Sequence, residues 1–217
     1  MAVDSTQVKL YRRYVAFREF EPTLGPAHEI PRDEHVMRLY ELAGQRIGRD
    51  TPIRYLEFGV ATGGTMRLMS AIFSNSESEF IGFDSFEGLP EAWEHHVRGT
   101  FSTDGASPRI DDPRIRFVKG WFQNTVPGFL KELRGQPHKT TLVHFDADLY
   151  SSTLFLLATL WFDIPEYYFI FDEFHYDEVY SLHDFASAFP VKIEFLGKTI
   201  GPMQVFGKLT RTEFSLT

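Results

Sequence analysis

The stretch Ile53–Thr65, IRYLEFGVATGGT, decides how the chain is read. Its first half is a short apolar run of strand type, its second half sets Gly59, Gly63 and Gly64 in a tight turn, and Thr65 to Phe73 resumes apolar residues at helical spacing. Strand, glycine turn and helix form the opening unit of an α/β sheet. Glycine lets the backbone approach a ligand closely, and the first turn of the following helix offers unpaired amides. The spacing is Gly-x-x-x-Gly-Gly, which departs from the Gly-x-Gly-x-x-Gly of dinucleotide-binding proteins. Alone, it does not separate a ligand turn from an ordinary tight connection.

Outward from this unit the alternation continues. Phe80–Phe83 ends in Asp84, Thr141–Phe145 in Asp146 and Tyr167–Phe171 in Asp172, and Ile115–Val118 is a further short strand; between them Phe129–Leu133 and Ser151–Trp161 have helical spacing. Strands alternating with helices predict a parallel sheet covered on both faces. After a helix around Leu182–Phe189, Val191–Leu196 and Met203–Leu209 are separated by a turn with Gly201 and Pro202, too short for a crossover helix. These two strands are expected to pair antiparallel. Upstream, Val8–Phe20 predicts an amphipathic helix with Leu10, Tyr14 and Phe17 on one side, followed by a loop of Pro22, Gly25 and Pro26. Asp33 to Ile47 predicts a second helix through Val36, Leu39, Tyr40 and Ala43, stopped by Gly48. Residues 1–31 are thus expected to form an N-terminal helix and loop that either covers the site or joins two subunits as a homodimer. Residues 32–217 are expected to form the α/β domain.

With 217 residues the chain is long enough for one large domain. Its 22 Lys and Arg against 30 Asp and Glu leave a formal net charge of −8, which does not attract phosphate backbones, so nucleic acid is not an expected partner. The absence of cysteine removes disulfides, thiolate metal sites and a Cys nucleophile together. Met1–Leu10 lacks the apolar run of a secretory signal, and no window reaches the roughly 20 apolar residues of a membrane span. The expectation is a soluble, cytoplasmic protein with no membrane partner. Many of the 22 Phe and 9 Tyr fall within the strands, where they are expected to pad the core.

Two constellations carry chemistry. In open sheets of this kind ligands collect at the carboxyl ends of the strands near the topological switch point, which is where Gly59, Asp84, Asp146 and Asp172 fall. Asp84 lies 21 residues beyond Gly63, where a carboxylate can accept the hydroxyl protons of an adenosine ribose. The second constellation is His144-Phe-Asp146-Ala-Asp148-Leu-Tyr150 with Asp172-Glu173 at the next strand end. Carboxylates packed together repel unless a cation or proton compensates, and an oxygen-only donor set suits a hard ion, with magnesium the choice. Asp148 is the weakest member, because a carboxylate before a helix is common for dipole reasons alone. His175, two residues beyond Glu173, is positioned to act as a base or substrate contact. No Gly-x-Ser-x-Gly elbow or His-Glu-x-x-His motif is present, which removes common hydrolase and zinc-protease readings.

The strings YLEFGVATGG (55–64), IGFDSFEGLPE (81–91), VKGWFQNTVP (118–127), HFDADLYSST (144–153) and IFDEF (170–174) resemble, in order, the macrocin O-methyltransferase family of class I enzymes that use S-adenosylmethionine. The resemblance implies a three-layer, Rossmann-like class I methyltransferase fold with a seven-stranded sheet and a C-terminal antiparallel hairpin. It implies that Gly59 and Gly63 sit against the methionine part of the cofactor with Glu57 supporting the turn. Asp84 would hold the ribose, with Ser85 and Phe86 beside the adenosine. Asp146, Asp172 and Glu173 correspond to the family's magnesium-binding acids, Glu173 standing where the family carries a second aspartate, and Asp146 is also the candidate catalytic base. The implied reaction is methylation of a hydroxyl on a sugar or other small natural product. Two other readings are weighed beside it, an NAD-dependent oxidoreductase and an inactive methyltransferase-fold binding protein. The loop Glu91–Pro113, with Trp93, His95, His96, Arg98 and Phe101, is long enough to serve as a lid over the acceptor.

Overall fold

A computed structural model describes residues 5–31, 37–201 and 203–213. Asp33, Val36 and Pro202, used in the sequence reading above, lie outside the described residues. The strands are β1 (His28–Ile30), β2 (Ile53–Phe58), β3 (Glu79–Asp84), β4 (Ile115–Lys119), β5 (Thr140–Phe145), β6 (Glu166–Phe171), β7 (Val191–Thr199) and β8 (Val205–Arg211). The helices are α1 (Ser5–Leu24), α2 (Met37–Ile47), α3 (Gly64–Ile72), α4 (Phe122–Leu133), α5 (Tyr150–Asp163) and α6 (Val179–Ala188), with a short π-helical turn at Phe174–Glu178 before α6.

The strands form one sheet in the order β1-β7-β8-β6-β5-β2-β3-β4. Every pairing is parallel except those of β8 with β6 and β7, the expected terminal hairpin. From β2 the chain winds one way through β3 and β4, then returns to the other side of β2 as β5 and β6. The switch point therefore lies between β2 and β5.

Register is set by aromatic packing. Phe58 lies level with Phe83 on one side and Phe145 on the other, and Phe145 lies level with Phe171. All four are fully buried, with ring centroids 5.0, 6.2 and 4.6 Å apart along the row. This rung faces the core shared with α4, α5 and α6. The opposite face, carrying Tyr55, Leu142 and Ile170, packs on Leu39, Tyr40 and Ala43 of α2 and Met66 and Met69 of α3. A slip of one residue would turn every rung phenylalanine to the wrong face, so the residues that follow the rung are held in line.

Two expectations need correction. The sheet has eight strands where seven were expected, because His28–Ile30 pairs in parallel with Gly197–Thr199. Three residues carry too little alternation to be read from sequence, and this strand lies before position 32. The α/β fold class holds. In α1, Leu10, Tyr14 and Phe17 were expected on one side of an amphipathic helix ending before a Pro22 loop, yet Leu10 and Tyr14 are 57% and 63% exposed while Phe17 packs on the core, and the helix continues through Pro22 to Leu24. Its inner side is formed by Ala16, Phe17, Phe20 and Leu24 in the second half and by Lys9, Arg12 and Arg13 in the first. Apolar periodicity could not find a face held by ion pairs.

Truncating the rung should be costly and truncating the outer face of α1 should not. Phe58→Ala is expected to lower unfolding free energy by about 3–5 kcal/mol, and Tyr14→Ser by less than about 0.5 kcal/mol. Urea unfolding of the two variants checks both, and comparable losses would contradict this packing.

Candidate active site

A cavity of about 550 Å³ opens at the carboxyl ends of β2, β3, β5 and β6. Gly59, Asp84, Ser85, Asp146, Asp172 and Glu173 of the expected site line it, whereas Glu57, Gly63, Phe86 and His175 do not. Leu89, Pro90 and Phe101 of the long loop and Trp121, Phe122 and Gln123 at the start of α4 complete much of the wall.

Gly59 has φ 96°, and a Cβ there would collide with the Asp146 carbonyl oxygen. The crossing is fixed by Gly59 N–H donating to Phe83 O at 3.0 Å and Asp146 N–H donating to Phe58 O at 3.0 Å. Only a residue without a side chain lets the two strand ends touch. Gly63 serves a different end: at φ 75° it precedes α3 and packs under Pro108 and Ile110 of the long loop. Asp84 accepts the amides of Val60 (2.8 Å) and Ala61 (2.9 Å) on Oδ2 and that of Phe86 (2.7 Å) on Oδ1. It therefore ties the glycine turn to the following loop, and of roughly four acceptor sites on a carboxylate about one remains for a ligand. Ala61, Phe101 and Asp148 line the cavity at positive φ, as strained residues at ligand sites often do.

The acids behave as an interacting set. Asp172 Oδ1 accepts hydrogen bonds from Tyr40 Oη (3.0 Å) and Gln204 Nε2, with His144 Nε2 3.7 Å away. Burial opposes its ionisation, but His144, Tyr40 and Gln204 together hold Asp172 below the usual carboxylate range. Asp146, adjacent across the β5–β6 pair, is pushed well up by burial and by the charges of Asp172 and Asp148. The two neighbouring carboxyl groups are thus pushed in opposite directions, Asp146 up and Asp172 down. Burial pushes Asp148 up to about 6, and burial with the charges of Asp148 and Asp172 pushes Glu173 up to about 8. Glu173 Oε2 is buried without a partner. His175 is half-buried with Nδ1 unpartnered, and burial and Arg13 lower its pKa. Among the described residues no three His, Cys, Asp or Glu side chains are gathered as a metal-binding set.

Sequence reasoning missed the supports of Asp172. His144 could have been found, since in β5 it shares the sheet face of the residue two positions on, Asp146. Tyr40 and Gln204 come from α2 and the β7–β8 turn, and no local signal marks them. Trp121, Phe122 and Gln123 stood within a quoted motif without a role being given to them.

The profile of the Macrocin-O-methyltransferase (TylF) family matches residues 94–192. A tetracenomycin-type rhamnoside 4'-O-methyltransferase of Streptomyces olivaceus, named 8-demethyl-8-(2,3-dimethoxy-alpha-L-rhamnosyl)-tetracenomycin-C 4'-O-methyltransferase, is 26% identical over 163 residues, 63% of this chain and 59% of the relative. This chain thus spans 59% of the length of that curated relative. Among solved structures, the O-methyltransferase NovP superposes with a TM-score of 0.60 at 21% identity, covering 97% of this chain and 100% of that one. TomG of Streptomyces achromogenes, an O-methyltransferase solved with SAM, superposes with a TM-score of 0.50 at 14% identity, covering 98% and 92%. The fold is that of the class I O-methyltransferases. Through residues 94–192 the chain is related to the macrocin O-methyltransferases. Among the described residues no helix is long and apolar enough to cross a membrane.

Glu57 makes the electrostatics of the turn testable. It is fully buried beside Tyr55 with Oε2 unpartnered, and burial pushes it up to about 8. The native state therefore holds more protons than the unfolded chain between pH 4.5 and about 8, and stability falls as pH rises across that window. Glu57→Gln is expected to match the native protein at pH 5 and to exceed it at pH 8 by on the order of 1–3 kcal/mol. Calorimetric unfolding at the two pH values checks this, and equal pH slopes for both proteins would refute it.

Proposed function

We propose that the protein is an S-adenosylmethionine-dependent, magnesium-assisted O-methyltransferase acting on a hydroxyl of a sugar or another small natural product. The observation that carries this reading is that the Gly59 turn and the acids at the ends of β5 and β6 open into the same cavity. The family match, the methyltransferase relatives and the SAM named with TomG support it. Among the described residues the cavity wall has five carboxyl side chains, Asp84, Asp146, Asp148, Asp172 and Glu173, and no Lys, Arg or His. Such a wall suits a sulfonium cofactor, whose positive charge it complements.

The proposed mechanism divides the wall in two. The Gly59 turn admits the methionine part of the cofactor, and Asp84 keeps that turn in place while retaining capacity for a ribose hydroxyl. Asp146, Asp172 and Glu173 would hold the magnesium ion. They fit it in chemistry, being hard oxygen donors of which Asp146 and Glu173 retain protons for want of a counter-charge. When bound, the ion lowers the pKa of the acceptor hydroxyl. Asp146, in its ionised form, would accept the proton of that hydroxyl as the oxygen attacks the methyl group in line and the methyl C–S bond breaks, leaving the neutral thioether. Tyr40, Gln204 and His144 keep Asp172 ionised and oriented beside it. His175 does not line the cavity, so the proton is assigned to Asp146.

Calorimetric titration with S-adenosylhomocysteine and with NAD separates the methyltransferase from the oxidoreductase, with binding of the first alone expected. Asp146→Asn is expected to keep homocysteine-cofactor affinity within about threefold and to lose turnover by roughly 10²–10⁴. EDTA should lower the rate and added magnesium restore it. A screen of sugars, glycosides and phenols with labelled cofactor supplies the acceptor. Cofactor binding without turnover on any of them, with or without magnesium, would favour an inactive binding protein.

A further inference from the structure

The long loop after β3 is held from outside. Leu89 and Trp93 are buried and pack on Leu149, which follows Asp148, so the loop lies over the acidic side of the cavity. Its backbone closes on itself through Leu89 N–H to Thr100 O and Gly99 N–H to Leu89 O, both 2.9 Å, and through the reciprocal pair Trp93–His96. Yet Glu94 and Phe101 sit at φ 50° and 67°, conformations that persist only where surroundings impose them.

Those surroundings are supplied by α1. Arg13 donates to Glu94 Oε1 at 2.5 Å and to Asp177 Oδ1 of the π-helical turn, and its guanidinium lies 5.3 Å from the Tyr176 ring centroid. Arg13 is 11% exposed and Asp177 is 3% exposed, so the pairing is largely shielded from water and salt. Trp93 packs edge-on against Tyr176 at 5.4 Å, His96 stacks on Trp93 at 5.6 Å, and Phe101 follows at 5.0 Å. Phe101 lines the cavity. An unbroken series of contacts thus joins Arg13 to the cavity wall.

We propose that Arg13 is a positioning residue for the acceptor: by joining Glu94 to Asp177 it fixes the Leu89–Phe101 loop as the wall of the acidic half of the cavity. The inference rests on the methyltransferase reading for the word acceptor, whereas its structural half stands alone. It gives α1 a part in the reaction although α1 supplies no residue to the cavity wall.

Two variants test it in the full-length protein. Glu94→Gln breaks the loop arm and leaves Arg13 paired with Asp177. Arg13→Met combined with Asp177→Asn removes the anchor without stranding a buried charge. In both, exchange of the Leu89, Trp93, His96 and Gly99 amides should accelerate by at least about fivefold. The Gly59 amide should be unchanged and S-adenosylhomocysteine affinity should stay within about twofold. With an acceptor from the screen, its KM should rise while kcat is retained, and Arg13→Lys should fall between. Unchanged loop exchange, a faster loop with unchanged acceptor KM, or a parallel loss of homocysteine-cofactor affinity would each overturn the proposal. Failure of the native protein to bind that cofactor would instead overturn the functional reading, leaving the exchange result to judge the loop.

Discussion

The site depends on a row of four phenylalanines. Phe83, Phe58, Phe145 and Phe171 stand level across β3, β2, β5 and β6, and each is followed by the residue that reaches the cavity: Asp84, Gly59, Asp146 and Asp172. Because side chains alternate along a strand, burying the rung on the α4–α5–α6 side turns the next residues toward the other face. The hydrophobic effect that fixes the register also brings the Gly59 turn level with the acids. No separate interaction is needed to bring them together.

The acids then create a problem that binding can solve. His144, Tyr40 and Gln204 hold Asp172 below the usual carboxylate range, while burial and then the Asp172 charge push Asp146 up. Burial pushes Glu173, Asp148 and the buried Glu57 up as well, and the charges of neighbouring carboxylates add to it. The cavity wall therefore gathers carboxyl groups whose ionisation burial opposes. In the proposed mechanism a positive ligand would relieve the repulsion by displacing a proton, which would leave Asp146 able to act as a base. The proposed mechanism thus links stability and catalysis through the same carboxyl groups.

Much of this was legible in the sequence because strand and helix alternation is a strong local signal. Gly59 and the three strand-end aspartates could be placed at a crevice from topology alone. What escaped notice was what local pattern cannot encode. Three-residue β1 has too few positions to show alternation, and the inner side of α1 is built from Lys9, Arg12 and Arg13 where an apolar face was sought. Asp84 was read as a ribose contact, while most of its capacity goes to backbone amides that a sequence does not display. Tyr40 and Gln204 meet at Asp172 from positions 132 and 32 residues away. Contacts of that kind belong to the tertiary fold.

The most direct measurement is the number of protons released on binding S-adenosylmethionine and S-adenosylhomocysteine near pH 7, from titration calorimetry in buffers of different ionisation enthalpy. The two ligands differ at sulfur by a methyl group and a positive charge. The account predicts proton release with the sulfonium cofactor, little or none with the neutral thioether, and loss of the difference in Asp146→Asn. Equal release with both ligands, or a difference that survives in Asp146→Asn, would contradict it.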